Sequence, residues 1–286
     1  MILVSGATGK LGRLVIEHLL RRGVPASELV AAARSPARAH DLAARGVTVR
    51  ALDYTQPATA DAALAGVERV LLVSSSTGIG ARAAQHQTVI EAARRAGVRL
   101  LAYTSILRGA ASPIGLARDH GETEAAIAAS GLPSVLLRNG WYVENYTENL
   151  GGALASGVML GAARDGRVSP ATRADLAEAA AVVLSTDGHA GRVYELAGDV
   201  GYTLAEIAAA ASKASGKPIR YQDLAPDVYA TTLEGFGVPG PFAAALADAD
   251  AGIAHGALFD EGRALSRLIG HPTQTLEAAL AAQFAG

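Results

Sequence analysis

The chain has 286 residues, half of them hydrophobic, which suits one large α/β domain or a core domain with a small appended lobe. Its formal net charge is −2 at pH 7 and its basic residues are scattered, which argues against nucleic-acid and membrane-surface partners. Cysteine is absent, which excludes disulfides, thiolate catalysis and cysteine-ligated metals.

The first predicted element is a short apolar strand over Met1–Ser5, followed by a glycine-rich turn and a helix. The turn reads Gly6-Ala7-Thr8-Gly9-Lys10-Leu11-Gly12. Strand, turn and helix come in the order that binds a dinucleotide pyrophosphate, because glycines allow a tight turn, close phosphate approach and close helix packing. The GxxGxxG spacing is a weak signal alone, and a turn that binds nothing is the alternative.

Further strand-like runs follow, separated by helical stretches such as Ala83–Ala96 and Glu122–Ala129. These runs are Leu29–Ala33, Val47–Leu52, Val70–Ser74, Leu100–Thr104 and Ser134–Arg138. Glycines stand where the helices should end, at Gly23, Gly46, Gly66, Gly97 and Gly131. Strands that alternate with helices predict a parallel sheet with right-handed crossovers.

Helical patterns predominate after Gly140. Return strands are predicted at Val193–Leu196 and Ile219–Tyr221, a capping box at Thr203–Glu206 opens a helix, and Gly235–Pro241 is interpreted as a loop. The apolar stretches are too short to span a membrane, and the strand that begins at Met1 leaves no room for a signal peptide. We therefore expect a soluble, cytoplasmic protein.

The end of the second strand distinguishes NAD from NADP in dinucleotide folds. An acidic residue there holds the adenosine ribose of NAD, but this chain reads Ala31-Ala32-Ala33-Arg34. Arg34 offers a planar guanidinium to a 2′-phosphate, and Arg38 lies one helical turn further on. We therefore expect NADPH as cofactor; an ordinary solvated arginine is the alternative.

Two other strand ends carry residues that can line the same cofactor. Asp53 follows the third strand, where a carboxylate can reach the adenine amino group; the alternative is an aspartate that only forms a turn. Ser74, Ser75 and Ser76 follow the fourth strand. Their small side chains would let the cofactor ribose lie against the backbone, and a polar loop is the alternative.

Several longer segments resemble one known family. They are Gln85–Ile90, Ala102–Ser105, Asp119–Glu124, Leu137–Tyr146, Ala171–Asp175, Tyr194–Gly198 and Leu268–Thr273. With the glycine turn, Arg34 and Asp53-Tyr54, they resemble the NmrA-like branch of the extended short-chain dehydrogenase/reductases over essentially the whole chain. Within that branch the chain is most similar to bacterial NADPH-dependent quinone oxidoreductases, and triphenylmethane dye reductase is a near relative.

This resemblance implies a Rossmann-type doubly wound parallel sheet with a smaller C-terminal α/β lobe. Residues 1–150 would form the NADP-binding core and residues 151–286 mainly the substrate lobe, with return elements at about 171–198 completing the core. The resemblance also implies cofactor contacts from Gly6 to Gly12, Arg34, Ser74 to Ser76, Arg138, Asn139, Gly140, Trp141 and Tyr142. Arg173 matches a position that reaches the cofactor from the second lobe; the alternative is a surface arginine at a helix start.

The usual acid of short-chain dehydrogenases is absent. It is a tyrosine with a lysine four residues later, which protonates an alkoxide. No lysine of this chain, Lys10, Lys213 or Lys217, lies four residues after a tyrosine. This argues against carbonyl–alcohol interconversion and sugar epimerisation. A quinone gives a delocalised phenolate, so we predict direct hydride transfer from NADPH to a quinone without flavin.

Three residues are candidates for catalysis: His120, Asn139 and Tyr142. His120 replaces the missing lysine and would hydrogen-bond the nicotinamide ribose or stabilise the developing anion; a locally satisfied helix-start histidine is the alternative. Tyr142 and Trp141 can stack on a planar acceptor that the Asn139 amide orients, although Trp141 as core filler is the alternative.

Other chemistries find little support. The histidines have no metal-ligand spacing, and neither a nucleophile elbow nor a P-loop is present. The alternatives that stay open are reduction of another planar electrophile, such as a triarylmethane dye, and a non-catalytic NADP(H)-binding redox sensor. We expect a small planar electron acceptor as partner, with no nucleic acid, membrane or metal, and leave a homodimer open.

Overall fold

The computed structural model describes residues 1–284. Within this range the strands are β1 Ile2–Val4, β2 Leu29–Ala33, β3 Thr48–Ala51, β4 Arg69–Leu72, β5 Leu100–Ile106, β6 Ser134–Asn139, β7 Val158–Gly161, β8 Arg167–Val168, β9 Val193–Leu196, β10 Tyr202–Thr203 and β11 Arg220–Asp223. The α-helices are α1 Lys10–Arg21, α2 His40–Ala44, α3 Pro57–Leu64, α4 Arg82–Arg95, α5 Leu116–Ser130, α6 Glu144–Thr147, α7 Gly151–Ser156, α8 Arg173–Ser185, α9 Leu204–Ser215, α10 Pro226–Gly235, α11 Gly240–Ala254, α12 Ala264–Ile269 and α13 Leu276–Phe284.

The central sheet has seven strands in the order β3-β2-β1-β4-β5-β6-β9. The pairings of β1 with β2 and β4, of β2 with β3, and of β4 with β5 are all parallel. Strand order reverses between β1 and β4, which is the switch point where doubly wound sheets bind their ligands. The predicted Rossmann-type α/β fold is confirmed.

The apolar runs of the sequence become strands that are covered on both faces. Every residue of β2 and of β5 is buried. A parallel sheet needs crossover helices, and these cover both of its faces, so its strands read as continuous apolar runs instead of alternating ones. Leu3, Val30, Val70 and Leu101 belong to one hydrophobic core cluster. That core positions the carboxyl ends of the strands.

The helix ends predicted from glycines are confirmed. Gly23, Gly46, Gly66, Gly97 and Gly131 all have φ between +68° and +87°. This left-handed conformation strains residues with a Cβ atom, so glycine is the residue that ends a helix and turns the chain back to the next strand.

Several predicted boundaries differ from the structure, among them those of α5 and of the loop before α11. Helix α5 begins at Leu116 rather than at Glu122, three residues after Pro113, so it contains His120. The predicted loop Gly235–Pro241 is shorter, because Gly240 and Pro241 already belong to α11. Proline is tolerated in the first turn of a helix, where its missing N–H has no intrahelical partner in any case.

The described chain forms two compact units. The first comprises Met1–Ala110, Asp119–Arg138 and Arg173–Tyr194, and the second comprises Ala111–Arg118, Asn139–Thr172 and the residues from Glu195 onward. The second unit contains an antiparallel β8–β10 pair and a parallel β7–β11 pair.

The predicted capping box is confirmed in the second unit. The Glu206 backbone N–H donates to Thr203 Oγ1 at 3.1 Å, and the Thr203 N–H donates to Glu206 Oε2 at 2.7 Å. Across both units, none of the helices within residues 1–284 is both long and apolar enough to cross a membrane.

Candidate functional site

The glycine turn between β1 and α1 is tightly closed. Gly6 has φ of +60°, and the Gly9 N–H donates to the Gly6 carbonyl at 2.8 Å. A Cβ atom on Gly12 would lie 2.5 Å from the Gly6 carbonyl oxygen, so only glycine allows this close packing of helix on turn. A Cβ on Gly9 would lie 3.1 Å from the same oxygen. The predicted need for glycine at this turn therefore has a steric basis.

The first turn of α1 fits a bound phosphate. The helix begins at Lys10, its N-cap Gly9 has no side chain to accept a hydrogen bond, and its first turn carries no acidic residue. Neither a side-chain cap nor an acidic residue of the first turn therefore compensates the leading N–H groups and the positive end of the helix dipole. Helix starts of this kind bind pyrophosphate groups.

A hydroxyl network joins the carboxyl ends of three strands beside the glycine turn. The Val73 N–H donates to Ser5 Oγ at 2.9 Å, and the Tyr54 hydroxyl donates to the Val73 carbonyl at 2.9 Å. Ser5 therefore donates its proton to Tyr54, whose oxygen lies 2.5 Å away. Burial raises the pKa of Tyr54, so the phenol stays protonated. Sequence reasoning did not assign a role to either hydroxyl.

Arg34 and Asp53 follow neighbouring strands of the sheet. Asp53 Oδ1 accepts from the Thr55 N–H at 2.9 Å and from the Thr55 hydroxyl at 2.7 Å. These bonds, and to a smaller extent the charge of Arg34, lower the pKa of the Asp53 carboxyl. Arg34 itself is exposed. The turn-forming geometry of Asp53 is present, and its contact with adenine stays a prediction, as does the Arg34 contact with a 2′-phosphate.

The serine loop after β4, Ser74 to Ser76, is held in place by hydrogen bonds from its backbone N–H groups. The Ser74 N–H donates to Thr104 Oγ1 and the Ser75 N–H to His86 Nε2, both at 2.8 Å. The Ser75 hydroxyl donates to Gln85 Oε1 at 2.5 Å, whereas Ser76 is exposed. Packing therefore determines the path of this loop, and the predicted cofactor contacts of the three serines stay predictions.

His86 is the residue beneath this loop that the sequence reasoning missed. Because Nε2 accepts an amide N–H, the ring proton lies on Nδ1, which donates to Thr123 Oγ1 at 2.8 Å. The Thr123 hydroxyl donates in turn to the Asp119 carbonyl at 2.8 Å. Burial, followed by the charges of His120 and Arg82, lowers the pKa of His86 to about 3. The sequence feature that could have identified His86 is that it is the single polar residue on the otherwise apolar buried face of α4.

The predicted catalytic residue His120 is 4% exposed in α5. Its Nδ1 lies 2.8 Å from the hydroxyl of Tyr103, which is in β5 and fully buried. Burial, with a smaller effect of the Arg82 charge, lowers the pKa of His120 to about 4. The imidazole is therefore neutral at physiological pH.

The guanidinium of Arg138 is bound by a carboxylate of its own unit. It donates from Nε to Glu124 Oε1 at 2.9 Å and from Nη2 to Glu124 Oε2 at 2.7 Å. Ser105 donates to the same carboxylate at 2.5 Å. A Cβ on Gly109 would lie 2.5 Å from Nη2, so the guanidinium packs against bare backbone. A cofactor contact of Arg138 stays a prediction. Such a contact would have to form while Nε and Nη2 donate to Glu124.

Residues Asn139 to Tyr142 leave β6 in the second unit. The Gly140 N–H donates to the Leu196 carbonyl at 2.7 Å, and Trp141 accepts from the Ala171 N–H at 3.0 Å. Tyr142 forms a parallel bridge with Ala171, and both aromatic side chains are half-buried.

Asn139 is 5% exposed, and its Oδ1 is buried with no hydrogen-bond partner within residues 1–284. An unpaired buried acceptor costs about 1–3 kcal/mol, so it is uncommon in folded proteins. The amide of Asn139 is therefore the strongest structural indication of a ligand contact in this segment.

Arg173 is the first residue of α8 and belongs to the first unit rather than to the second lobe. Among the described residues, no group of three or more histidine, aspartate or glutamate side chains could hold a metal ion.

Residues 6–187 match a family model described as NAD(P)H-binding. The chain belongs to the NAD(P)H-binding family. Among related proteins, it is 53% identical over 276 residues to quinone oxidoreductase 2 of Escherichia coli K12, and the match covers 96% of each chain. The predicted resemblance is confirmed.

Two solved structures are similar to this member of the NAD(P)H-binding family over its whole length. The Escherichia coli NADPH-dependent quinone oxidoreductase in complex with NADPH has a TM-score of 0.96 and 52% identity, covering 99% of this chain and all of its own. Triphenylmethane reductase of Citrobacter sp. in complex with NADP(H) has a TM-score of 0.93 and 38% identity, with the same coverage.

Proposed function

We propose that this protein is an NADPH-dependent quinone reductase that transfers hydride directly to a quinone without flavin. The observation that carries the proposal is the 53% identity to a quinone oxidoreductase over 96% of both chains. Identity at this level over the whole length makes the same site chemistry the simplest expectation. Features within each unit, described separately below, also support it.

The first unit has the residues to hold NADPH. The glycine turn and the uncapped start of α1 would bind the pyrophosphate, and Arg34 would bind the 2′-phosphate. The backbone of Ser74 and Ser75, held by Thr104 and His86, would support the ribose. NADPH supplies a hydride from its nicotinamide ring when bound.

The second unit offers contacts to a planar acceptor. Tyr142 and Trp141 are half-buried and can stack on a ring, and Asn139 brings an unsatisfied amide to the same segment. Its amide group can donate to a quinone oxygen, and its Oδ1 can accept from a hydroxyl of the hydroquinone. We propose these three residues as the acceptor-binding group.

The protonation state of His120 favours a quinone over a simple ketone. A pKa of about 4 leaves the imidazole neutral at pH 7, so it can donate a hydrogen bond but holds no extra proton to release. Reduction of a ketone needs an acid for the alkoxide, whereas a quinone gives a delocalised anion.

Triarylmethane dye reduction is the second candidate, favoured by the 38% identity and the TM-score of 0.93 to triphenylmethane reductase. NADPH oxidation should be measured anaerobically with benzoquinone, a naphthoquinone and a triarylmethane dye, on protein shown by absorbance to lack flavin. We expect the quinones to be reduced faster than the dye. Faster dye reduction would support the second candidate, and NADPH binding without turnover of any acceptor would support a redox sensor.

We also propose a cytoplasmic location and a small-molecule acceptor as the partner, with no nucleic-acid binding. The scattered basic residues and the net charge of −2 support this proposal. Sedimentation at several protein concentrations would test the homodimer that the sequence leaves open.

A further inference from the structure

Tyr103 and His120 form a buried pair inside the first unit. Tyr103 is fully buried in β5, His120 is 4% exposed in α5, and the phenol oxygen lies 2.8 Å from His120 Nδ1. The hydrogen bond that joins them is buried, so groups of the protein determine the position of its proton. That position determines what His120 can offer to a ligand.

The Tyr103 proton needs an acceptor. Burial raises the pKa of Tyr103, so the phenol keeps its proton. The neighbouring hydroxyl of Thr123 already accepts the His86 Nδ1–H and donates its own proton to the Asp119 carbonyl. His120 Nδ1, at 2.8 Å, accepts from no other group, and we assign it as the acceptor for the Tyr103 hydroxyl. In the opposite direction the phenol proton would have to share the Thr123 oxygen with the His86 Nδ1–H.

An acceptor at Nδ1 leaves the other nitrogen of His120 as the donor. A neutral imidazole carries one ring proton, and if Nδ1 accepts, that proton is on Nε2. The nearby positive charge of Arg82 opposes a second proton on the ring. No residue within 1–284 forms a hydrogen bond with Nε2. His120 Nε2 is not among the buried unpartnered atoms within residues 1–284, so it reaches the surface, where its N–H is available to a ligand.

We propose that Tyr103 is a positioning residue that holds His120 as the Nε2–H tautomer, so that this N–H donates a hydrogen bond to an oxygen of a bound ligand. The oxygen belongs either to a ribose hydroxyl of the cofactor or to the carbonyl of the acceptor. The role toward a ligand rests on the proposed function, whereas the tautomer rests only on contacts within the first unit.

The tautomer can be read directly by NMR of protein labelled with ¹⁵N-histidine at pH 7, without added ligand. His120→Gln identifies the His120 signals. We expect the Nε2–H pattern in the unmodified protein and a shift toward the other tautomer in Tyr103→Phe. Tyr103→Phe keeps the buried ring, and circular dichroism checks its fold.

Tyr194→Phe is the matched control. Tyr194 forms a second tyrosine–histidine pair in the first unit, with its hydroxyl 2.8 Å from His189 Nδ1. The Tyr194→Phe substitution should change the His189 signals and leave those of His120 unchanged. An Nδ1–H pattern for His120 in the unmodified protein, or an unchanged pattern in Tyr103→Phe, would overturn the proposal.

Two binding measurements then identify the ligand oxygen. Loss of one neutral hydrogen bond corresponds to about a two- to tenfold effect. Weaker NADPH binding in both Tyr103→Phe and His120→Ala, by fluorescence titration, would assign the oxygen to the cofactor. Unchanged NADPH binding with lower kcat/KM for benzoquinone would assign it to the acceptor. If neither quantity changes while the tautomer does, the ligand contact is wrong. If the unmodified protein reduces no quinone, the proposed function fails, and the NMR and NADPH measurements still judge this inference.

Discussion

The guanidinium of Arg34 lies close enough to the carboxyl of Asp53 for its charge to lower the pKa of that group. The two residues are nineteen positions apart in the chain, and the parallel β2–β3 pairing brings their strand ends together. Both were predicted from the sequence to contact the adenosine half of the cofactor. Because they lie close together, we hypothesise that Arg34 and Asp53 form one adenosine-binding edge of the sheet.

Arg34→Ala should weaken NADPH binding by about ten- to hundredfold and leave NADH binding nearly unchanged, because a charged bidentate contact is worth about 1.5–3 kcal/mol. Isothermal titration with both cofactors measures the difference. Arg99→Ala removes the same charge from a side chain that is 76% exposed and ion-paired with Glu68, and it should change neither affinity. Equal affinities of the unmodified protein for NADPH and NADH would contradict the assignment.

Gly12→Ala should destabilise the fold, and Gly9→Val should mainly reduce NADPH affinity. A Cβ on Gly12 would meet the Gly6 carbonyl oxygen at 2.5 Å, so backbone must move, at a cost of about 1–3 kcal/mol in the free energy of unfolding. Gly9 is extended, with φ of −85°, and its Cβ would lie 3.1 Å from the same oxygen, so we expect a smaller loss of stability and a side chain that obstructs the phosphate. Urea unfolding and NADPH titration separate the two effects, and full NADPH affinity in Gly9→Val would move the phosphate site elsewhere.

The contribution of His86 and His120 to stability should fall as the pH drops from about 6.5 toward 4, whereas Asp250, whose pKa burial raises to about 6, acts in the opposite direction. The folded pKa values of His86 and His120 are about 3 and about 4, well below the unfolded value near 6.5. The unfolded chain therefore binds more protons in this window, and each histidine lowers the free energy of unfolding by at most about 1.4 kcal/mol per pH unit, and by about half of that at pH 6.5. Urea unfolding between pH 6.5 and 5 measures the slope. His86→Gln should reduce it by that amount and His40→Gln, which removes an exposed imidazole, should not; an equal slope in all three proteins would refute the assignment.

Asn139→Ala should lower quinone turnover by on the order of a hundredfold while NADPH affinity and stability change little. Loss of one preorganised donor typically has this effect on rate, and a quinone anion is less demanding than an alkoxide, so the loss can be smaller. Removing the unpartnered Oδ1 relieves a desolvation cost that offsets the lost packing. Steady-state kinetics measure the turnover, NADPH titration the affinity and thermal unfolding the stability. Unchanged turnover in both Asn139→Ala and Tyr142→Ala would place the acceptor elsewhere.

Glu124→Gln should destabilise the protein by about 3 kcal/mol, because it leaves the partly buried Arg138 guanidinium without its carboxylate. Asp61→Asn is the control, since Asp61 pairs with Arg95 where both side chains are about half exposed, and such pairs contribute about 0–1 kcal/mol. Urea unfolding compares the two variants. Similar losses in both would show that the Glu124–Arg138 pair is not the stronger one.

Much of the fold follows from local patterns. A left-handed glycine such as Gly97 ends its helix because of its own backbone freedom, and a run such as Leu29–Ala33 becomes a buried strand because of its own side chains. Parallel strands end at one edge of the sheet, so the sequence could also predict that Arg34, Asp53 and the serine loop would follow neighbouring strand ends. These inferences need only neighbours along the chain and one topological rule.

The sequence alone determined the class of fold, the position of the glycine turn and the residues that follow each strand. Tertiary structure decided the partners of those residues: His86 under Ser75, Tyr103 against His120, and Glu124 around Arg138. No local pattern encodes these pairs, since each joins separate elements whose packing sets the distance. Burial also depends on how separate elements pack. The neutral state of His120 and the unpaired oxygen of Asn139 therefore became visible only in the folded chain.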